Sequence, residues 1–553
     1  MVTFNSRYLT YKQVSEQFIP TQNFYDLAKA CHTVLLGARG SGKTTMLKML
    51  QPEAIIEFQK VDNSFDVPFY GVYIPSDRQW SFILERLEAQ INPFYTKVSQ
   101  ALVNLNVLLA FLDTLCFVLK TKNVSPVDNY NFCKTFIKFM RMEDDTPPIL
   151  EIIRLQLRAL AIDLQNAVRD RNTEYEIHYV CKTNFVDSLS QVLQMIDMHY
   201  ASYELKDLWA LCFDEMEIAP AWFQKEIANV DFRSRNQRLF FKITSTPDWN
   251  IVGNNIKNPT VGNDFEVIKC WNFQASNMGQ WRAFCDAVIY KTLLSKYALT
   301  KDNLLDLISV KYLDRDFLLE NLPKVDQGFA EYFLRDYSLN TDNKVVISRA
   351  SIRSKFYNGL VLAMRYFYYS GIKHKTVPEN NTYLGNWLLY NMADGNPRSL
   401  FNVLNEISSA MEVKGKLKMN IPALSRVVRE FSSKAMDERF SYCAMQPIEI
   451  GGLCLSFRDI LLRIGNFFKN ELLSEEYNPF PRTMFAIDEP RSLYNFVHVA
   501  LEVGAIIRVD DQSLYSGKFD GGVFRLTYLL YPYFGYVPTS SKEVVLISEI
   551  LDE

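Results

Sequence analysis

Two rhythms of apolar and polar positions alternate along the chain. Short, nearly unbroken apolar runs bounded by glycine, proline or charge read as strands buried on both faces, at residues 31–36, 67–75, 208–214, 238–247 and 265–273. Between the second and third of these, over residues 80–205, the period lengthens to that of amphipathic helices, as in "SFILERLEAQI", "NFCKTFIKFMRM", "ILEIIRLQLRALAIDLQNAV" and "VDSLSQVLQMIDMHY". Strand, helix, strand, a run of inserted helices and three more strands predict an α/β core, a parallel sheet covered on both faces. Residues 275–440 read as mainly helical, and the remainder mixes helices with a hairpin.

Length and composition sharpen this picture only a little. At 553 residues the chain is too long for one core, and about three domains are expected. A 14% aromatic share and 22% charged residues are those of a globular chain. The net charge of −3 exerts no overall pull toward nucleic acid or anionic membrane. Nine cysteines are scattered without a C-x-x-C pair or a histidine at zinc-site spacing, so they read as reduced, mostly buried thiols of a cytoplasmic protein. The most membrane-like stretch, "ALVNLNVLLAFLDTLCFVLK" at 101–120, is interrupted by Asn104, Asn106 and Asp113, and reads as a buried helix with no membrane partner. The N-terminus lacks the basic start and apolar core of a signal peptide.

Chemistry enters at residues 34–50, "VLLGARGSGKTTMLKML". Gly37, Ala38, Arg39, Gly40, Ser41, Gly42, Lys43 and Thr44 fit G-x-x-x-x-G-K-[ST], with Thr45 following. Glycines let backbone N–H groups turn inward around phosphate oxygens, Lys43 reaches the β and γ phosphates of ATP, and Thr44 ligates Mg²⁺. A metal-bound triphosphate needs an acidic partner at the end of a neighbouring strand, and "LCFDEME" supplies one. Asp214 would hold Mg²⁺, and Glu215 would polarise the attacking water. The next strand ends in "KITSTP", where Thr244, Ser245 and Thr246 are candidates to orient that water, Ser245 being preferred. Downstream, "MADGNPRSLFNVL" places Pro397 in a first helical turn and Arg398 beside it, suited to sensing a γ-phosphate. Arg233, Arg235 and Arg238 in "DFRSRNQRLFF" are candidates for an arginine finger on a neighbouring subunit's ATP, or for a basic helix end.

These motifs in this order resemble the AAA+ P-loop ATPases, in the origin-recognition-complex-like branch related to the STAND ATPases. The matching residues are Walker A at 37–44, Walker B at 211–215, a sensor 1 region at 244–246 and a sensor 2 "GNPR" at 395–398. The resemblance implies an αβα sandwich with a five-stranded parallel sheet in the order 5-1-4-3-2. It also implies a helical lid and ATP-dependent homo-oligomerisation with ATP at subunit interfaces. It divides the chain into an approach segment at 1–30, a nucleotide-binding core at 31–275 with its large helical insertion, a lid at 276–440 and a winged-helix-like domain at 441–553. The arrangement is also similar to bacterial origin-recognition-like ATPases, some of which sit in anti-phage defence islands.

Initiators of this branch use the winged helix on DNA. Here residues 441–553 hold 9 Lys+Arg against 15 Asp+Glu, a balance that opposes phosphate contact and favours a protein partner for this domain. The expectation is therefore a cytoplasmic, Mg²⁺-dependent ATPase switch that oligomerises or engages a partner, with a role in defence. The alternatives are a DNA-binding initiator or loader, gripping DNA through segments such as "KGKLKM" and "SRVVREFSSK", and a nucleotide-gated scaffold without turnover.

Overall fold

A computed structural model describes residues 9–85, 92–143, 145–229, 236–247, 262, 264–270, 278–294, 297, 324, 326, 327, 364, 365, 368, 369, 386–413, 416, 417, 421–441, 446–450, 452–474, 481–488, 490–509, 522–536 and 543–552. The chain forms two compact units. One is Asn5–Gly37 with Lys43–Lys269, and the other is Met1–Phe4, Ala38–Gly42 and Cys270–Glu553.

In the first unit, strands β1 (Thr33–Leu36), β2 (Phe69–Pro75), β3 (Leu208–Asp214), β4 (Leu239–Ser245) and β5 (Glu266–Lys269) form one sheet in the order β2-β3-β4-β1-β5. Every pairing is parallel. This is the order the resemblance implies, read from the other edge. All seven residues of β4 and six of seven in β3 are buried, as a sheet covered on both faces requires. Helices α1 (Tyr11–Gln17), α2 (Gln22–Leu27), α3 (Lys43–Lys48) and α4 (Pro52–Gln59) belong to the core. The insertion consists of α5 (Arg78–Glu85), α6 (Pro93–Thr121), α7 (Pro126–Phe139), α8 (Leu150–Arg169), α9 (Tyr179–Lys182) and α10 (Phe185–Tyr200), and α11 (Ala221–Asn229) follows β3.

Among the described residues α6 is the one helix long and apolar enough to cross a membrane. Its apolar face is spent inside the protein, with Phe111 lying 4.4 Å from the Trp209 ring of β3. One interrupting asparagine has a structural task. The Asn104 amide donates to the Cys181 carbonyl (3.1 Å) and accepts from the Phe185 N–H (3.1 Å), closing the end of α9 and the start of α10.

The second unit contains α12 (Met278–Ile289), α13 (Asn386–Ala393), α14 (Pro397–Met411), α15 (Ile421–Lys434), α16 (Phe457–Leu473) and α17 (Pro490–Val503). Two short hairpins are β6 (Glu412–Val413) with β7 (Lys416–Leu417) and β8 (Ile448–Ile450) with β9 (Leu453–Leu455). Strands β10 (Met484–Ala486), β11 (Ile506–Arg508), β12 (Val523–Leu526) and β13 (Val544–Leu546) form a sheet in the order β11-β12-β10-β13. Its β11–β12 pair is the expected hairpin, and residues 510–521 of the expected wing lie outside the described residues. Two further strands, β10 antiparallel to β12 and β13 parallel to β10, enlarge it beyond the hairpin read from the sequence. The fully buried Arg365 donates to the Leu472 and Ser474 carbonyls (2.8 and 2.9 Å) at the end of α16 and pairs with Asp326, satisfying a helix C-terminus.

Candidate functional site

The parallel sheet brings the ends of β1, β3 and β4 to one edge, which is where ligands bind in open α/β sheets. Leu36 stands in register with Ser245, and the Gly37 N–H donates to the Ser245 carbonyl (3.1 Å), so the glycine loop leaves β1 beside the end of β4. Gly40 and Gly42 have φ of +93° and +90°, conformations that side-chain-bearing residues rarely adopt. The turn delivers Lys43, Thr44 and Thr45 to the first turn of α3. The Lys43 ammonium donates to the Gly37 carbonyl, and the buried Ser41 hydroxyl has no hydrogen-bond partner among the described residues.

Asp214 ends β3 at 2% exposure, and both its oxygens are engaged. The Thr244 hydroxyl donates to Oδ1 (2.5 Å) and the Tyr73 hydroxyl to Oδ2 (2.9 Å). Thr244 also accepts the Glu215 N–H (3.0 Å), so one threonine fixes the carboxylate and the backbone of the residue after it. Glu215 has φ +56°, uncommon for a residue with a side chain and typical of places where geometry is held for function. Ser245, also fully buried, donates to Glu217 Oε2 (3.2 Å). Burial pushes the Glu217 carboxyl above the ordinary range, while the Lys43 ammonium opposes the shift.

Glu217 and Tyr73 are the site residues that sequence reasoning did not single out. Glu217 shares "DEME" with Asp214 and Glu215, and its signal in the sequence is a third carboxylate two positions on. Tyr73 offers only a polar tip within an apolar strand.

Within the second unit the loop residues Ala38–Gly42 meet the "DGNPR" segment. Asn396 caps α14, its Oδ1 accepting from the Ser399 N–H (3.3 Å) while its Nδ2 donates to the Arg39 carbonyl (2.9 Å). The Arg398 N–H donates to the Gly40 carbonyl (3.3 Å), and its side chain is exposed. A Cβ at Gly40 would lie 2.7 Å from Asn396 Oδ1, a second reason for glycine there. Arg39 donates its N–H to the Glu502 carbonyl (2.9 Å), and its guanidinium pairs with the Glu502 carboxylate at the end of α17.

Asp394, just before Gly395, is buried and receives both guanidinium nitrogens of Arg525 (2.7 and 2.8 Å), the Thr527 hydroxyl (3.1 Å) and the Tyr528 N–H (3.0 Å). The Arg525 guanidinium lies 3.9 Å from the Tyr528 ring centroid. A cavity of about 20 Å³ lies between these parts, lined among others by Ala38, Ser41, Asp394 and Thr527.

Arg233 and Arg235 lie outside the described residues. Arg238 is held at the opposite end of β4, donating to Asp197 (2.6 Å) and the Asp207 carbonyl (3.0 Å).

The donor set fits a magnesium nucleotide. Within the first unit a lysine suits phosphate oxygens, and a hydroxyl on α3 with the oriented carboxylate of Asp214 suits a hard cation. No curated protein and no solved structure matches the chain. A family model described as ORC-CDC6-like matches residues 1–546. With 546 of its 553 residues matched, the chain belongs to the ORC-CDC6-like family, in the origin-recognition class of AAA+ ATPases.

Proposed function

We propose that this protein is a Mg²⁺-dependent, ATP-hydrolysing molecular switch. The observation that carries this reading is the Tyr73–Asp214–Thr244–Glu215 cluster at the end of β3, in the unit whose β1 leads into the glycine loop. An acid held by two hydroxyl donors and followed by a second acid in a fixed backbone conformation is suited to hydrolysis.

In this reading Lys43 and the loop N–H groups bind the phosphates, Thr44 and Asp214 hold the metal, and Glu215 orients and deprotonates the attacking water. Ser245 and Glu217 neighbour that water, and Arg398 reports the γ-phosphate through its place beside Gly40. Bound Mg²⁺ supplies charge neutralisation on the phosphates. ATP at subunit interfaces drives homo-oligomerisation, the acidic winged-helix-like region at 441–553 engages a protein, and the setting is cytoplasmic. The resemblance to ATPases of defence islands supports a role in anti-phage defence.

Two variants test the chemistry. Lys43→Ala abolishes ATP binding, and Glu215→Gln binds ATP but lowers single-turnover hydrolysis by about 10²–10⁴-fold. Turnover retained in both would refute the assignment. Light scattering on a sizing column, with ATP and with ADP, reads the oligomer, and a monomer in both removes the shared-site mechanism.

The family match itself favours a second reading, a DNA loader. It predicts DNA affinity that falls steeply with salt, at a slope implying several phosphate contacts. The switch reading predicts no binding even at low salt.

A further inference from the structure

The first unit carries a second cleft that the nucleotide chemistry does not use. It has a volume of about 650 Å³ and is bounded by α1, α4, the end of β2, α6 and α8. That size is typical of small-molecule sites, roughly 300–1,000 Å³. Its walls are apolar where Pro52, Leu109, Ala110, Phe117 and Ile162 face it.

Its lining also carries polar side chains, among them Gln51, Asp113, Arg154 and Arg158. Gln51 is 5% exposed, and its Nε2 has no hydrogen-bond partner among the described residues. Arg154 Nε is likewise buried and without a hydrogen-bond partner among the described residues. Both residues line the cleft, and a buried donor left unmade costs about 1–3 kcal/mol, so the rotamers of these two side chains have hydrogen bonds to gain from a ligand's acceptor atoms. Arg154 and Arg158 both approach Asp113, the latter at 3.4 Å, so two guanidinium groups share one carboxylate. Glu53 also faces the cleft. The Tyr11 phenol, pushed up to about 12 by burial and then by Glu53 and Asp113, stays protonated as a further donor near neutral pH.

From this geometry we infer that the cleft binds a small amphipathic anion, with an aromatic or branched apolar body against Phe117, Leu109 and Ile162 and a carboxylate or phosphate head on Gln51, Arg154 and Arg158. Tyr73 lines the same cleft and donates its hydroxyl to Asp214, which makes it a positioning residue through which the bound anion adjusts the acid at the end of β3. This coupling rests on the ATPase reading above, whereas binding in the cleft does not.

The full chain, free of nucleotide, is titrated by calorimetry with phenyl phosphate, phenylacetate, inorganic phosphate and benzyl alcohol. At least one aromatic anion binds with Kd below about 1 mM, and head alone or body alone binds at least about tenfold more weakly. Gln51→Leu and Arg154→Met weaken the aromatic anion about tenfold or more. Ile162→Trp, at a 57% exposed position where folding is tolerant, fills the cleft and blocks it. Lys43→Ala leaves the affinity unchanged, which separates this site from the phosphate loop.

Absence of binding by both aromatic anions, equal binding of inorganic phosphate, or affinity untouched by Ile162→Trp overturns the proposal. Loss of binding in Lys43→Ala does so too. For the coupling, the anion shifts ATP affinity by about fivefold or more in the native chain and not in Tyr73→Phe, and an equal shift in both rejects it.

Discussion

Asp394 shows how much one side chain is asked to hold. Its carboxylate takes four hydrogen bonds from Arg525, Thr527 and Tyr528, and φ of +48° puts its backbone in a left-handed turn just ahead of Asn396 and Arg398. A buried ion pair contributes little net stability over an apolar pair, but removing one partner strands the other charge, at a cost of about 3–5 kcal/mol. Arg525→Met is therefore expected to lower unfolding free energy by about 3 kcal/mol, measured by urea denaturation. Asp394→Asn, which keeps one acceptor but strands the Arg525 guanidinium, should cost a comparable amount. Nothing in the sequence announced this pair, because its members stand 131 positions apart. Arg39 had likewise no evident task within the glycine loop, and its partner Glu502 lies in a helix whose sequence reads only as amphipathic.

Elements were more legible than pairs. All five strands of the first sheet coincide with apolar runs, which in β3 and β4 reflect burial on both faces, whereas in the edge strand β5 only Ile268 is buried. The acidic end of β3 and the glycine turn after β1 follow from chemistry that tolerates few other residues. Strands β10 and β13 were not separable, because three-residue strands carry too few positions for a period to show. Helix α6 was ambiguous by composition alone, and Asn104 resolves it. An amide that satisfies a carbonyl at Cys181 and an N–H at Phe185 belongs inside a protein. Asn104→Leu leaves both backbone groups unpaired, and is expected to cost about 2 kcal/mol in chemical denaturation. Asn104→Asp keeps only the acceptor, so it should fall between the two.

At the scale of the whole molecule, stability depends on pH through the edge of the sheet opposite the site. His32 precedes β1, accepts the Phe241 N–H on Nδ1 (3.1 Å) and stacks on the Phe241 ring, so its neutral form carries the proton on Nε2. Burial, then the nearby Lys242 ammonium, lowers it from 6.5 to about 4. With the folded value depressed, the unfolded chain takes up the proton first on acidification. The stabilisation is complete above pH 6.5 and is lost as pH falls toward 4, on the order of 3 kcal/mol. Urea midpoints measured across that window should fall less steeply for His32→Asn, whose amide oxygen replaces Nδ1 as acceptor. Identical slopes would remove His32 from the account.

The contacts of the second unit carry one more consequence, for how such a chain is taken apart and recombined. Glu502 grips the loop residue Arg39, and Arg525 neutralises the carboxylate next to the "GNPR" turn, so the C-terminal segment completes the wiring around Gly40. Cutting the chain before residue 490 leaves Asp394 without its partner, and grafting a foreign C-terminal segment onto the same helices does so unless the graft brings an arginine to that place. The C-terminal segment is therefore matched to its own loop, and exchange between relatives is expected to succeed only when loop, turn and terminal strand travel together.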